Sequence, residues 1–193
     1  LKFHDGTPLD AEAVKFNLDR YLDPKTGSAR RTELGPVKSV DVIDARTVQI
    51  KMEQPYSQLL VALANRAGMM VSPTALKTMG ADFATKAVGA GPFKFVSWTK
   101  NGQFVLERFD GYWRKDMPYL DKIVFRPISD ETVRLANLRS GTAQLIDAVP
   151  PQSLSGLKSD KNLHIVQRDG AGFYAYSFNV RKPPFDDVRV RRA

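Results

Sequence analysis

Hydrophobic residues in the segment after Asp10 recur every three or four positions, the spacing that places side chains on one face of an α-helix. These apolar positions are Val14, Leu18, Tyr21 and Leu22. Asp10 precedes the pattern and carries the kind of short side-chain oxygen that caps a helix start. The pattern therefore predicts a helix from Ala11 to about Tyr21.

A second pattern, rich in β-branched and aromatic residues, indicates strands. It predicts two hairpins, Val37–Ile43 with Thr47–Met52 and Phe93–Trp98 with Phe104–Arg108, the latter across an Asn-Gly turn. Further strands are predicted at Met69–Val71, Asp121–Pro127, Leu145–Val149, Leu163–Gln167 and Phe173–Asn179.

Further helices are predicted from Pro55 to about Ala64, from Pro73 to Gly80, from Asp130 to Gly141 and from Pro151 to Leu157. Helices and strands mix without a regular strand–helix–strand alternation, which favours an α/β architecture with mixed sheets. The composition changes at the glycine-rich segment 88–92, and we expect a boundary there.

Length and charge restrict the class of protein. With 193 residues, 42% of them hydrophobic, the chain can form one domain or two small ones with a sizeable core. The apolar run Leu59–Ala64 has six residues, far below the roughly 20 that a membrane-spanning helix needs. Twenty-nine Lys and Arg against 21 Asp and Glu give a net charge of +8, with the two signs interspersed. The absence of cysteine excludes disulfides and thiolate metal sites and fits an exported bacterial protein.

The residues that usually carry catalysis or bind metals do not form a recognisable set. His4 lies beside a turn and His164 inside a predicted strand, and neither has a partner at metal-ligand spacing. The glycine-rich segment 88–92 leads into a strand and lacks the Lys-Ser/Thr of a phosphate-binding loop. We therefore predict no enzyme activity, no metal site and no cofactor.

Basic and aromatic residues interleave between positions 108 and 119, as they do on a nucleic-acid-binding surface. A turn at Phe109–Trp113 whose rings pack on the preceding hairpin explains the same pattern. A basic nucleic-acid-binding module is the alternative function, supported by the net charge alone. Such a module would bind much more weakly at higher salt.

Both ends of the chain are abrupt. Pro183 and Pro184 stiffen an extended approach, and Asp186 or Asp187 can cap a helix that would begin at Val188, close to the last residue. The first residues are strand-like, with no initiator Met and no signal peptide. We expect the chain to be a piece of a larger protein.

Four motifs follow one another along the chain: FHDGTPLDAEAV at 3–14, VGAGPF at 88–93, DGYW at 110–113, and Phe178-Asn179 followed by PFDDVRVR at 184–191. In this order they resemble the signature of the peptide/nickel class of extracytoplasmic solute-binding proteins of ABC importers. Ala90 departs from the pattern, since the family usually has Thr at that position.

The resemblance implies a periplasmic-binding-protein-like fold of type II, in which two lobes surround a cleft. The chain would be a fragment of the N-terminal lobe that includes its extra small domain. Residues 1–88 would form the small subdomain, 89–178 the middle of the first lobe, and 179–193 the start of the crossover to a second lobe that is missing. Asn179 and Val180 would form the hinge.

The resemblance also implies capture of a solute rather than chemistry. A peptide or similar small solute would bind between the lobes, the hinge would close, and the closed form would dock on an ABC permease at the membrane. By position, two groups of residues would line the cleft: Arg30, Arg31 and Arg66 in the small subdomain, and Phe173, Tyr174 and Tyr176 in a bordering strand. Arginine forks suit carboxylates. A dipeptide, a longer peptide, a glutathione-like peptide, an opine and a metal chelate all stay open.

The resemblance places the protein in the periplasm, or outside the cytoplasm with a lipid anchor. No nucleic-acid partner is expected. Because half of a cleft leaves its ligand and its own strand edges exposed, we expect this chain alone to bind its solute weakly and to self-associate. The expected contacts are Val188 and Val190, or the edge beside Phe173–Asn179.

Overall fold

The computed structural model describes residues 1–168, 170 and 175–192. The chain divides into two compact units, Leu1–Ile128 and Ser129–Ala193. The boundary expected near Gly89 lies inside the first unit, in the chain between its two sheets. The assignment of 1–88 and 89–178 as subdomains stays a prediction.

In the first unit the α-helices are α1 (Ala11–Leu22), α2 (Leu59–Leu63) and α3 (Pro73–Met79). Short 3-10 turns lie at Pro24–Thr26, Arg31–Leu34, Arg66–Gly68 and Gly80–Ala84. The strands are β1 (Val37–Asp44), β2 (Thr47–Met52), β3 (Phe93–Trp98), β4 (Phe104–Arg108) and β5 (Lys122–Phe125). In the second unit the described helices are α4 (Glu131–Arg139), the 3-10 turn Pro151–Ser153, α5 (Leu154–Lys158) and α6 (Val188–Arg192).

The two sheets confirm the predicted hairpins. Strand β1 pairs with β2, and β3, β4 and β5 form a three-stranded sheet in that order. Over the described residues every strand pairing is antiparallel, whereas we expected mixed sheets.

Helix α1 begins and ends as its sequence predicts. The Asp10 side chain accepts a hydrogen bond of 3.0 Å from the Ala13 N–H, which satisfies one of the free donors of the first turn. The apolar face of the helix supplies Leu18 and Tyr21 to a buried cluster. The other members of that cluster are Leu34, Val40 and Ala67.

Several predicted strands are wrong. Met69–Val71 has no strand partner among the described residues and is held instead by side chains of α1. Leu145–Val149 and Leu163–Gln167 are not strands, and Leu145 and Val166 are 83% and 73% exposed. A β-rich run becomes a strand only where another strand offers hydrogen-bond partners, and the second unit has none among its described residues.

Candidate functional site

The arginines that the resemblance singled out in the small subdomain lie on neighbouring segments. The turn Arg31–Leu34 packs against the turn Arg66–Gly68. Leu34 and Ala67 are both fully buried in the same cluster, so each turn is anchored in the core by one apolar side chain. The structure therefore places Arg31 and Arg66 on neighbouring turns of the first unit, and Arg30 directly precedes the first of these turns.

Two glycines allow these turns to form. Gly35 has φ of 63°, which favours glycine, and a Cβ there would come within 2.8 Å of the Tyr56 ring. A Cβ on Gly68 would lie 1.8 Å from the carbonyl oxygen of Leu63, at the end of α2. Only glycine permits this close approach of the Arg66–Gly68 turn to α2.

Arg30 is already neutralised within the protein. Its guanidinium forms an ion pair with Glu33, three residues further on, and both side chains are half-buried. The second carboxylate oxygen of Glu33 is buried without a hydrogen-bond partner among the described residues. Because Glu33 already balances its charge, Arg30 attracts a bound anion less strongly than an arginine without an ion pair does.

Arg31 and Arg66 are exposed, and neither guanidinium has an ion pair or hydrogen bond to any described residue. Helix α2 packs against both of their turns and exposes Leu60 and Val61, which are 78% and 67% accessible. We call Arg31, Arg66, Leu60 and Val61 the arginine surface. It offers two free cationic forks beside an exposed apolar pair.

The remaining predicted site residues belong to the second unit. Phe173 and Tyr174 lie outside the described residues, and residues 175–179 have no regular secondary structure. Tyr176 is 93% exposed. The Asn179 side chain accepts a hydrogen bond of 3.1 Å from the Arg181 N–H, and Val180 is exposed within the same turn.

Two side chains of α1 hold the segment after Arg66, and sequence reasoning missed this role. Asn17 is fully buried, and its amide donates to the Val71 carbonyl at 2.9 Å and accepts from the Val71 N–H at 3.0 Å. The Tyr21 hydroxyl donates to the Met69 carbonyl at 2.8 Å. Asn17 lies on the apolar face of α1. A single amide side chain at such a position indicates a buried hydrogen bond, and this was the signal available in the sequence.

A polar network ties the first motif to the rest of the unit. Ser72 is fully buried, and its hydroxyl donates to the Asp5 carboxylate. Burial opposes ionisation of Asp5, but hydrogen bonds from Ser72 and Thr7 outweigh it and lower the pKa of that carboxyl. The His4 ring Nε2 lies 2.9 Å from the Gly91 carbonyl oxygen and donates to it. The FHDG and VGAGPF motifs are thus joined by direct contacts.

Metal-binding and membrane-spanning features are absent from the part of the chain that the structure describes. No three His, Cys, Asp or Glu residues there converge on a position that could hold a metal ion. Its helices are too short and too polar for any of them to cross a bilayer.

A family of bacterial proteins matches the whole chain. The model described as "Bacterial extracellular solute-binding proteins, family 5 Middle" covers residues 1–193. The chain belongs to this family. The resemblance drawn from the four motifs is confirmed, and the family is one of binding proteins.

Relatives within solute-binding family 5 match the chain along its full length. The glutathione-binding protein GsiB of Shigella flexneri is 36% identical over 193 residues, which is 100% of this chain and 38% of GsiB. The chain therefore spans well under half the length of the curated relatives that it matches.

Solved structures confirm the fold. MoaA of A. tumefaciens R10, in complex with mannopinic acid, superposes with a TM-score of 0.91 at 29% identity, over 99% of this chain and 39% of MoaA. NikZ of Campylobacter jejuni, in complex with Ni(L-His), superposes with a TM-score of 0.87 at 26% identity, over 100% of this chain and 38% of NikZ. The described residues have the fold of part of a type II periplasmic binding protein.

Proposed function

We propose that the whole protein is the solute-binding component of an ABC importer and captures a small, acidic, peptide-like solute. The observation that carries this proposal is that Arg31 and Arg66 are exposed, have no ion pair to any described residue, and lie on two turns that pack together over a shared core. A free guanidinium binds a carboxylate through two parallel charge-assisted hydrogen bonds.

The charge of the arginine surface selects the class of solute. Arg30 is paired with Glu33, whereas Arg31 and Arg66 have no ion pair to any described residue. The ligands named for the relatives are glutathione, mannopinic acid and nickel with L-histidine, and each of these contains at least one carboxylate. Leu60 and Val61 would contact an apolar part of the solute.

The protein would deliver its solute to the permease after two lobes close around the bound solute. Binding shifts an open–closed equilibrium only when the closed form makes contacts that the open form lacks. Phe173, Tyr174 and Tyr176 would supply such contacts, and Asn179 and Val180 would lie at the hinge. The closed form would dock on a membrane permease from the periplasmic or outer side.

Isothermal titration calorimetry on the whole protein tests the proposal, with reduced glutathione, mannopinic acid and nickel–histidine as probes. Arg31→Ala and Arg66→Ala should each weaken binding about tenfold to a hundredfold, as the loss of a hydrogen bond to a charged group does. Arg46→Ala is the matched control. Arg46 is exposed in the turn after β1. The eight residues of β1 separate this turn from the Arg31–Leu34 turn, which corresponds to a distance of roughly 25 Å.

Three results would contradict the proposal. One is that the wild-type protein binds none of the three acidic probes. Another is that Arg46→Ala weakens binding as much as Arg31→Ala does. The third is that the chain binds nucleic acid with a steep salt dependence, which would favour the alternative module.

A further inference from the structure

The backbone that carries Arg66 has little support of its own. Arg66–Gly68 is a single 3-10 turn, and the residues that follow it, Met69 to Val71, have no regular secondary structure. A single turn of this kind has few internal hydrogen bonds. The position of the Arg66 backbone therefore depends on contacts from other elements.

The residue after the turn connects it to helix α1. The Met69 N–H donates to the Arg66 carbonyl at 3.3 Å and closes the turn. The Met69 carbonyl accepts the hydrogen bond from the Tyr21 hydroxyl at 2.8 Å. One residue thus links the Arg66 backbone to a buried side chain of the helix.

Tyr21 is well suited to hold this carbonyl. Its ring is buried in the cluster that contains Ala67, the residue directly after Arg66. Burial raises the pKa of the Tyr21 hydroxyl, so the group stays protonated and remains a donor at neutral pH. The buried ring fixes the position from which the hydroxyl donates.

We propose that Tyr21 is a positioning residue for Arg66: its hydroxyl bond to the Met69 carbonyl holds the backbone from which the Arg66 side chain reaches a bound carboxylate. This inference rests on the proposed function, because it assigns Arg66 to ligand binding. Tyr21 itself does not touch the solute.

A double-mutant cycle tests the inference by calorimetry on the whole protein with the same three probes. Tyr21→Phe keeps the buried ring and removes one hydroxyl, and we expect about fivefold weaker binding. In an Arg66→Ala background, Tyr21→Phe should leave the affinity for the probes unchanged. In an Arg31→Ala background, it should weaken binding by the same factor as in the wild type. Tyr119→Phe, which removes an exposed hydroxyl, is the control and should leave the affinity for the probes unchanged.

The cycle separates positioning from general damage to the fold. A loss of affinity that persists in the Arg66→Ala background would overturn the inference, and so would unchanged binding by Tyr21→Phe. If the wild-type protein binds none of the probes, the proposed function fails, and amide hydrogen exchange then decides the inference. Tyr21→Phe should speed exchange of the Met69 N–H severalfold, and unchanged exchange would overturn it.

Discussion

Replacing Asn17 by Ala should strongly destabilise the first unit. The amide of Asn17 is fully buried and makes three hydrogen bonds, one to the Ala13 carbonyl at 2.9 Å and two to the backbone of Val71. Without the amide, the N–H and C=O of Val71 lose their partner, and an unsatisfied buried group costs about 1–3 kcal/mol. Val71 is only partly buried, so water can replace some of this loss. We therefore expect a loss of about 2–4 kcal/mol in the free energy of unfolding.

Asn137→Ala is the matched control for this experiment. Asn137 also lies in a helix and also donates to the carbonyl four residues earlier, that of Val133, at 2.8 Å, but its side chain has no hydrogen bond to another segment among the described residues. Both variants lose a side-chain bond within a helix, so a larger loss in Asn17→Ala reports what only Asn17 has: its contacts with Val71 and its full burial. Urea unfolding followed by circular dichroism provides both values. Equal stability losses in the two variants would refute the reasoning.

Three further predictions concern acid stability, backbone packing and association. Because the pKa of Asp5 is lowered in the folded state from 3.8, its contribution to stability is present above that value and is lost as the pH falls through the folded pKa. Urea midpoints of the wild type and Asp5→Asn should thus differ at neutral pH and converge as the pH falls below 3.8 and through the folded pKa. Gly68→Ala should unfold the chain or cost at least about 2 kcal/mol, whereas Gly156→Ala, whose Cβ would meet no atom within 4 Å, should cost nothing on thermal melting. Light scattering should show association of this chain through the exposed Val188 and Val190, and a monomer at every concentration would contradict that expectation.

The sequence predicted the elements whose signals are local. The cap at Asp10, the helical spacing after it and the Asn-Gly turn between β3 and β4 each depend on neighbouring residues, and all of them are present in the structure. Features that depend on distant partners were not predictable in this way. Leu163–Gln167 has a strand-like composition but finds no partner among the described residues, so it forms no strand.

In the candidate site, too, contacts between residues close in sequence were predictable, and contacts between distant residues were not. The grouping of Arg31 with Arg66 came from the resemblance, since 35 positions separate them and only the fold packs their turns together. The pairing of Arg30 with Glu33 was available from the sequence, because residues three apart are neighbours on one turn. Tyr21 was predicted to lie on the apolar face of α1, and its bond to Met69 became visible only in the structure.

Native mass spectrometry of the whole protein, purified without unfolding and with released small molecules identified, tests the central claim most directly. The account predicts one bound small solute that carries at least one carboxylate, and predicts that Arg66→Ala purifies without it. A bound solute that lacks any acidic group, or an acidic solute that Arg31→Ala and Arg66→Ala both retain as fully as the wild type, would contradict the account.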